Sequence, residues 1–192
     1  YTYSFFGSIS STVTEIRDYF YLKETNEKLV AENVELRNII EKARVLQMES
    51  TSDSLWHPVD SVDCKYVYVT AEMLNAGFNK TKNYITINKG SLHGIASEMA
   101  VCSSEGVVGV VEKTSKHFSK ILPLINVNLR VSAKIKKNGY YGSLQWDGDD
   151  YRYTYLNDIP FHVDAEVGDT IVTSGLSPIF PEGEIIGFIE SV

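Results

Sequence analysis

Between Leu22 and Leu46 the chain reads LKETNEKLVAENVELRNIIEKARVL, and a leucine-led ladder returns every seventh residue. Leu22, Leu29, Leu36 and Ala43 take heptad position d, while Tyr19, Asn26, Asn33 and Ile40 take position a. Neither Gly nor Pro interrupts the stretch, and Leu, Glu, Lys, Arg and Ala are good helix formers. A helix packed on its own globular domain buries a broader apolar face than this seam. The spacing therefore predicts a parallel two-stranded coiled coil. An Asn at position a can hydrogen-bond its twin across such a dimer, fixing register at a cost in stability. Glu32 at g faces Arg37 at e of the partner helix, an opposite-charge pair.

Upstream, Ile9, Val13, Ile16 and Phe20 are spaced 4, 3 and 4 apart, out of phase with the leucine ladder. A slip of the seam near Tyr19–Leu22 follows. Tyr1–Ser8 read equally well as frayed linker. Residues 47–56 lose the heptad and gather Ser, Thr and Asp, which marks a linker.

Beyond the linker the period changes from helix to strand. Val62–Thr70, Tyr84–Asn88, Met99–Cys102 and Val107–Val111 are strand-length runs rich in Val, Ile and Tyr. Leu129, Val131, Ala133 and Ile135 alternate with Arg130, Ser132, Lys134 and Lys136, one face dry and one wet. Asn138-Gly139 then predicts a type I′ hairpin turn. Tyr140–Trp146, an Asp147-Gly148 turn and Tyr151–Leu156 complete a three-stranded meander. Thr170–Ser174 and Ile185–Ile189 follow as further strands. Glu105–Glu112 (EGVVGVVE) is echoed by Glu182–Glu190 (EGEIIGFIE) with one insertion. Glycines inside apolar strands mark bulges or bends, so the pattern suggests small barrels or sandwiches. Two related barrels would explain the echo, with chance similarity between Val-rich strands as the competing account.

Charge and chemistry narrow the function. A formal net charge of −7 argues against nucleic acid, whose phosphates need a clustered basic surface. The densest basic run, Lys134, Lys136 and Lys137, reads as the solvent face of a strand. No run of 18 apolar residues crosses a membrane, and the start without Met suggests a fragment. Cys64 and Cys102 are too few for a disulfide framework. One bridge is open to them in an oxidising compartment, but buried thiols are favoured. The four histidines stand apart from one another, without metal-ligand spacing, and no phosphate loop is present. No cofactor, metal site or small-molecule substrate is expected. A Ser-His-Asp set of His57, Asp60 or Asp63, and Ser174 exists by residue type. Ser174, however, lacks the surroundings that build an oxyanion hole, and is assigned instead to turn geometry. Tyr151, Tyr153 and Tyr155 share one face of a strand. They either wall a barrel interior or form a partner-binding stripe, with Lys134 and Lys136 as rim charges.

Taken in order, several segments resemble the rod shape-determining MreC family. They are the heptad runs Leu22–Leu29 and Glu32–Arg37; Tyr84–Ser91 with Gly94-Ile95 and Met99–Val101; Gly106–Val111; Gly168–Gly175; and Phe180–Gly183 with Ile186-Gly187. The resemblance implies a mainly β protein with an N-terminal α-helix: a parallel dimeric coiled coil, then two small six-stranded-type β-barrels. The expected divisions are 1–50 for the helix, 51–112 for the first barrel (open to completion by C-terminal strands) and 113–192 for the second. It implies the periplasmic part of a single-pass inner-membrane protein that acts as a non-enzymatic scaffold for cell elongation. The implied partners are a second copy, higher self-assemblies, an elongation-specific penicillin-binding protein, and the MreD, RodA and MreB components. A degenerate trypsin-like serine hydrolase is the alternative.

Overall fold

The computed structural model describes the helix backbone from residue 3 to 50, with side chains from 21 to 47, and residues 64–77 and 81–192. The chain divides into two units, residues 1–70 and 71–192.

The first unit is organised by α1, Tyr3–Ser50, which runs through the phase slip without a break. Its 48 residues correspond to a rod of about 72 Å, at ~1.5 Å per residue. Tyr19 lies on the helix, but its side chain is outside the described residues, as are His57, Asp60 and Asp63. The strand expected at Val62–Thr70 is not present in its described part, residues 64–70. That segment instead touches the helix at Tyr68. The Tyr68 N–H donates to Asn38 Oδ1 at 2.8 Å, and Asn38 Nδ2 donates to the Tyr68 carbonyl at 3.2 Å. The Arg37 guanidinium lies 5.4 Å from the Tyr68 ring centroid. One side-chain amide satisfies the backbone pair that a neighbouring strand would otherwise take.

The second unit holds two five-stranded antiparallel sheets. In the first, β1 (Met73–Gly77), β2 (Tyr84–Ile87), β3 (Ala100–Cys102), β4 (Val107–Thr114) and β5 (Ser119–Pro123) lie in the order β1-β2-β5-β4-β3. In the second, β6 (Arg130–Ile135), β7 (Tyr141–Gln145), β8 (Tyr155–Asn157), β9 (Thr170–Thr173) and β10 (Ile185–Phe188) lie in the order β10-β9-β6-β7-β8. Among the described residues each sheet has five strands, where six were expected. The sheets change over between β5 and β6 rather than at 112/113. A break there would cut β4, which pairs with β5 from Gly109↔Pro123 to Thr114↔Ser119. The sequence pattern did not single out β1 or β5. β1 (MLNAG) lacks β-branched residues, and β5 (SKILP) is short and ends on Pro, although its Ile121 is fully buried.

Hydrophobic alternation dictates the second sheet's inner face. Val131, Ala133 and Ile135 of β6 are buried, and Leu144 of β7 joins them. The β6–β7 connection is not a type I′ turn, which needs positive φ at both central residues. Only Gly139 is left-handed (φ 75°), and its N–H donates to the Ile135 carbonyl at 2.8 Å. The Asn138 side chain is otherwise used, donating to the Asp164 carbonyl and accepting from the Tyr140 N–H. The third meander strand is shorter than expected, Tyr155–Asn157, because Asp147-Gly148 opens a long loop rather than a tight turn.

Three apolar clusters form the core. Ile85, Ile87, Ile95, Val111 and Ile121 fill the first sheet. Ala133, Ile135, Leu144 and Ile171 fill the second. Between them Val107 and Val110 meet Leu129, Val131 and Phe180, so one cluster belongs to both sheets. The echoed segments fall on two hairpins, β3–β4 and β9–β10, each with a register shift at the bulge. β4 lies inside its sheet and β10 at an edge, so the likeness is of hairpins rather than of whole sheets.

Candidate interaction surfaces

The helix has two unlike sides. On one, Val34, Asn38, Glu41 and Val45, at heptad positions b and f, are buried or half-buried. On the other, the seam residues Leu22, Asn26, Leu29, Asn33, Leu36, Ile40 and Ala43 are all exposed, Leu22 at 66% and Ile40 at 55%. Asn33 Nδ2 donates to the Leu29 carbonyl of its own helix at 2.8 Å, and Lys23 lies 3.7 Å from Glu27 one turn on.

A second surface is the outer face of β6, β7 and β8. Register places Arg130 beside Gln145 and Gln145 beside Tyr155; it sets Ser132 beside Ser143 and Lys134 beside Tyr141. Tyr155, Tyr141 and Arg130 are exposed, while the opposite face of the same strands is buried. Tyr153 is exposed as well, and Thr154 and Leu156 are half-buried, so alternation holds from 153 to 157. Tyr151 is exposed but sits in a turn rather than on the strand. None of the three tyrosines walls the interior.

That turn is built on Asp150. Buried Trp146 donates its indole N–H to the Asp150 carbonyl at 2.9 Å, and the Tyr153 N–H donates to the same carbonyl at 3.2 Å. The Asp150 carboxylate receives Arg152 Nε at 3.0 Å and Nη2 at 2.6 Å. These hydrogen bonds hold its carboxyl down at about 2. The Arg152 guanidinium in turn lies 5.3 Å from the Tyr153 ring centroid.

The two lysines expected at the rim differ. Lys134 lies on the outer face and is paired with Glu182, which raises its pKa; its Nζ sits 6.0 Å from the Tyr141 ring centroid. Lys136 is exposed in the hairpin loop, off the sheet. Tyr141 and Arg130 were not foreseen as part of this face. The alternation of 129–135, continued through the hairpin, carried the signal for both.

Among the described residues no hydrogen bond joins Ser174 to a histidine or a carboxylate. Ser174 is buried; its Oγ donates to Ser132 Oγ at 2.8 Å and accepts from the Leu176 N–H at 3.2 Å. Of the described histidines, His93 accepts from the Gly90 N–H, His117 meets the Phe118 ring and His162 meets the Tyr140 ring. Among the described residues no group of His, Cys, Asp and Glu is placed to hold a metal. Cys64 and Cys102 are half-buried and not disulfide-bonded to each other. No described helix is long and apolar enough to cross a membrane.

A family model described as "Rod shape-determining protein MreC, barrel core" matches residues 73–192, beginning on the first residue of β1. The chain is 28% identical over 189 residues to the cell shape-determining protein MreC of Listeria monocytogenes, covering 96% of this chain and 63% of the relative. With that of Escherichia coli it shares 33% identity over 110 residues, 56% of this chain and 29% of the relative. The chain thus spans less than two thirds of either. Among solved structures, MreC of Listeria monocytogenes superposes with a TM-score of 0.57 at 27% identity, covering 88% of this chain and 79% of that one. MreC of Pseudomonas aeruginosa shares the fold with a TM-score of 0.57 at 20% identity, covering 64% and 79%.

Proposed function

The chain belongs to the rod shape-determining MreC family, and from that premise we propose that it is a non-enzymatic scaffold of the bacterial cell-elongation machinery. It works in the periplasm as part of a single-pass inner-membrane protein, pairing with a second copy and organising peptidoglycan synthases. Each of its sheets curls as a small barrel. The tyrosine face of β6–β8 takes the elongation-specific penicillin-binding protein, and MreD, RodA and MreB complete the assembly. Self-association extends beyond the dimer.

The observation that carries this reading is the asymmetry of α1. Val34, Asn38, Glu41 and Val45, at b and f in its C-terminal half, are covered, whereas the six a and d residues from Leu22 to Ile40 all stand open. Leucines repeating at d lose their contact with water only when a second helix supplies the facing holes. A parallel pair fits best, because Asn26 and Asn33 then face their own copies and can exchange the local bond of Asn33 for one across the interface. The buried hydroxyl of Ser174, held by Ser132 and the Leu176 amide, supports a structural role for the one serine considered as a nucleophile.

The test is the solution mass of the whole chain and of Leu29→Asp/Leu36→Asp. The native chain should run as a dimer and the variant as a monomer, since a buried unpaired charge costs several kcal/mol. An unchanged dimer in the variant would overturn the coiled-coil reading.

A further inference from the structure

The two sheets are joined by one short connection, residues 124–129, which is gripped from both sides. On the first side, Asn83 and Asn126 are 1% and 0% exposed. Asn83 Nδ2 donates to the Ile125 carbonyl at 2.7 Å, and Asn126 Nδ2 donates to the Asn83 carbonyl at 2.6 Å. Asn126 also binds its own neighbours: its Oδ1 accepts from the Asn128 N–H, and its carbonyl from the Leu129 N–H, both at 3.0 Å. The Val127 N–H donates to the Thr81 carbonyl at 3.2 Å. On the second side, Gln145 Nε2 of β7 donates to the Val127 carbonyl at 2.9 Å.

A second anchor lies at the echoed hairpins. A Cβ on Gly106 would stand 2.3 Å from the Ile185 carbonyl oxygen and 3.1 Å from its carbon, so the β3–β4 turn rests against the backbone of β10. The shared apolar cluster of Val107, Val110, Leu129, Val131 and Phe180 fills the space between. An apolar interface alone tolerates sliding, because dispersion and water exclusion are non-directional. Buried amides are directional: the Asn83 and Asn126 bonds pin the connection to the first sheet, and swinging the second sheet away would break the Gln145–Val127 bond and, if the connection followed, strand both buried asparagines.

We infer that the connection, pinned to the first sheet by the Asn83–Asn126 clasp and to the second by Gln145, together with the Gly106–Ile185 contact, locks the two sheets into one rigid body that presents their outer faces at a fixed angle. This runs against the ordinary expectation for neighbouring domains, which move on one another unless the interface is large and apolar. It stands independently of the scaffold assignment.

The experiment is pulsed electron-spin distance measurement on the whole chain. Cys64 and Cys102 are replaced by Ala, and labels are placed at Lys113→Cys on β4 and Lys136→Cys beyond β6, both exposed positions. Labelled chain is diluted into unlabelled chain, so that only intramolecular distances are read. The parent should give one narrow distance distribution, and Asn126→Ala or Gly106→Ala should broaden or displace it. Amide exchange in β2, β5, β6 and β9 should stay slow, showing that each sheet survives. Should Asn126→Ala fail to fold, Gln145→Ala, half-buried at the edge of the grip, is read in its place and should broaden the distribution. A broad distribution in the parent overturns the lock, as does a narrow, unshifted one in every folded variant.

Discussion

At the residue scale, the tyrosine face owes its form to a few polar anchors. Asp150 is the first. Its carboxyl is held at about 2 by the Arg152 hydrogen bonds, below the ordinary value of about 3.9 for an Asp in an unfolded chain. A depressed carboxyl stabilises the folded state above its unfolded pKa, and that contribution disappears as pH falls through the folded one. The pair therefore contributes fully above about pH 4 and is lost toward pH 2, with a small effect because the site is open to water. Carboxyl NMR titration should place the Asp150 midpoint near 2 and return it to the usual range in Arg152→Gln. An ordinary midpoint in the native chain would refute the pairing. Tyr153 is the second test. Its ring is 45% exposed, so Tyr153→Ala should leave the thermal midpoint unchanged. It should weaken binding of the penicillin-binding protein's periplasmic stem by about 2 kcal/mol if the ring is a hot spot. A fallen midpoint with intact affinity would move the docking surface elsewhere.

Among the elements, α1 is the most legible and β5 the least. Seven-residue spacing is a property of the chain alone, and the helix with its open seam follows from it. Asn33 should cost the coil stability while holding its register. In Asn33→Ile, thermal unfolding of the dimer should move to higher temperature and the distribution of masses should widen. A less stable dimer would show that Asn33 does not face its twin. The Val62–Thr70 segment illustrates the opposite case. Its Val and Tyr content suits a strand, yet Tyr68 finds its backbone partner in the Asn38 amide, 30 residues away. β-propensity describes a fit to a half-buried surface rather than a commitment of the backbone. Tyr151–Leu156 was shortened for a related reason: Trp146 and Tyr153 both bond the Asp150 carbonyl and hold the chain in a turn.

For the whole molecule, the period of hydrophobic residues settled the class: one helix with a narrow seam, then short strands that alternate. It also settled which faces of β6 are wet and dry, since side chains on a strand must point to opposite sides. The change of sheet between β5 and β6, the five-strand count, and the meeting of the two echoed hairpins depend on pairings between distant residues. No local spacing encodes these. Tyr153 and Tyr155 were legible as a pair on one face, but whether that face pointed inward or outward was not; the buried Leu144 opposite, supplied by another strand, decided it. No sequence pattern singles out Asn83 or Asn126. Only the tertiary structure makes them core, because an amide becomes worth burying once a chain segment 42 or 43 residues away brings the carbonyl it can bond.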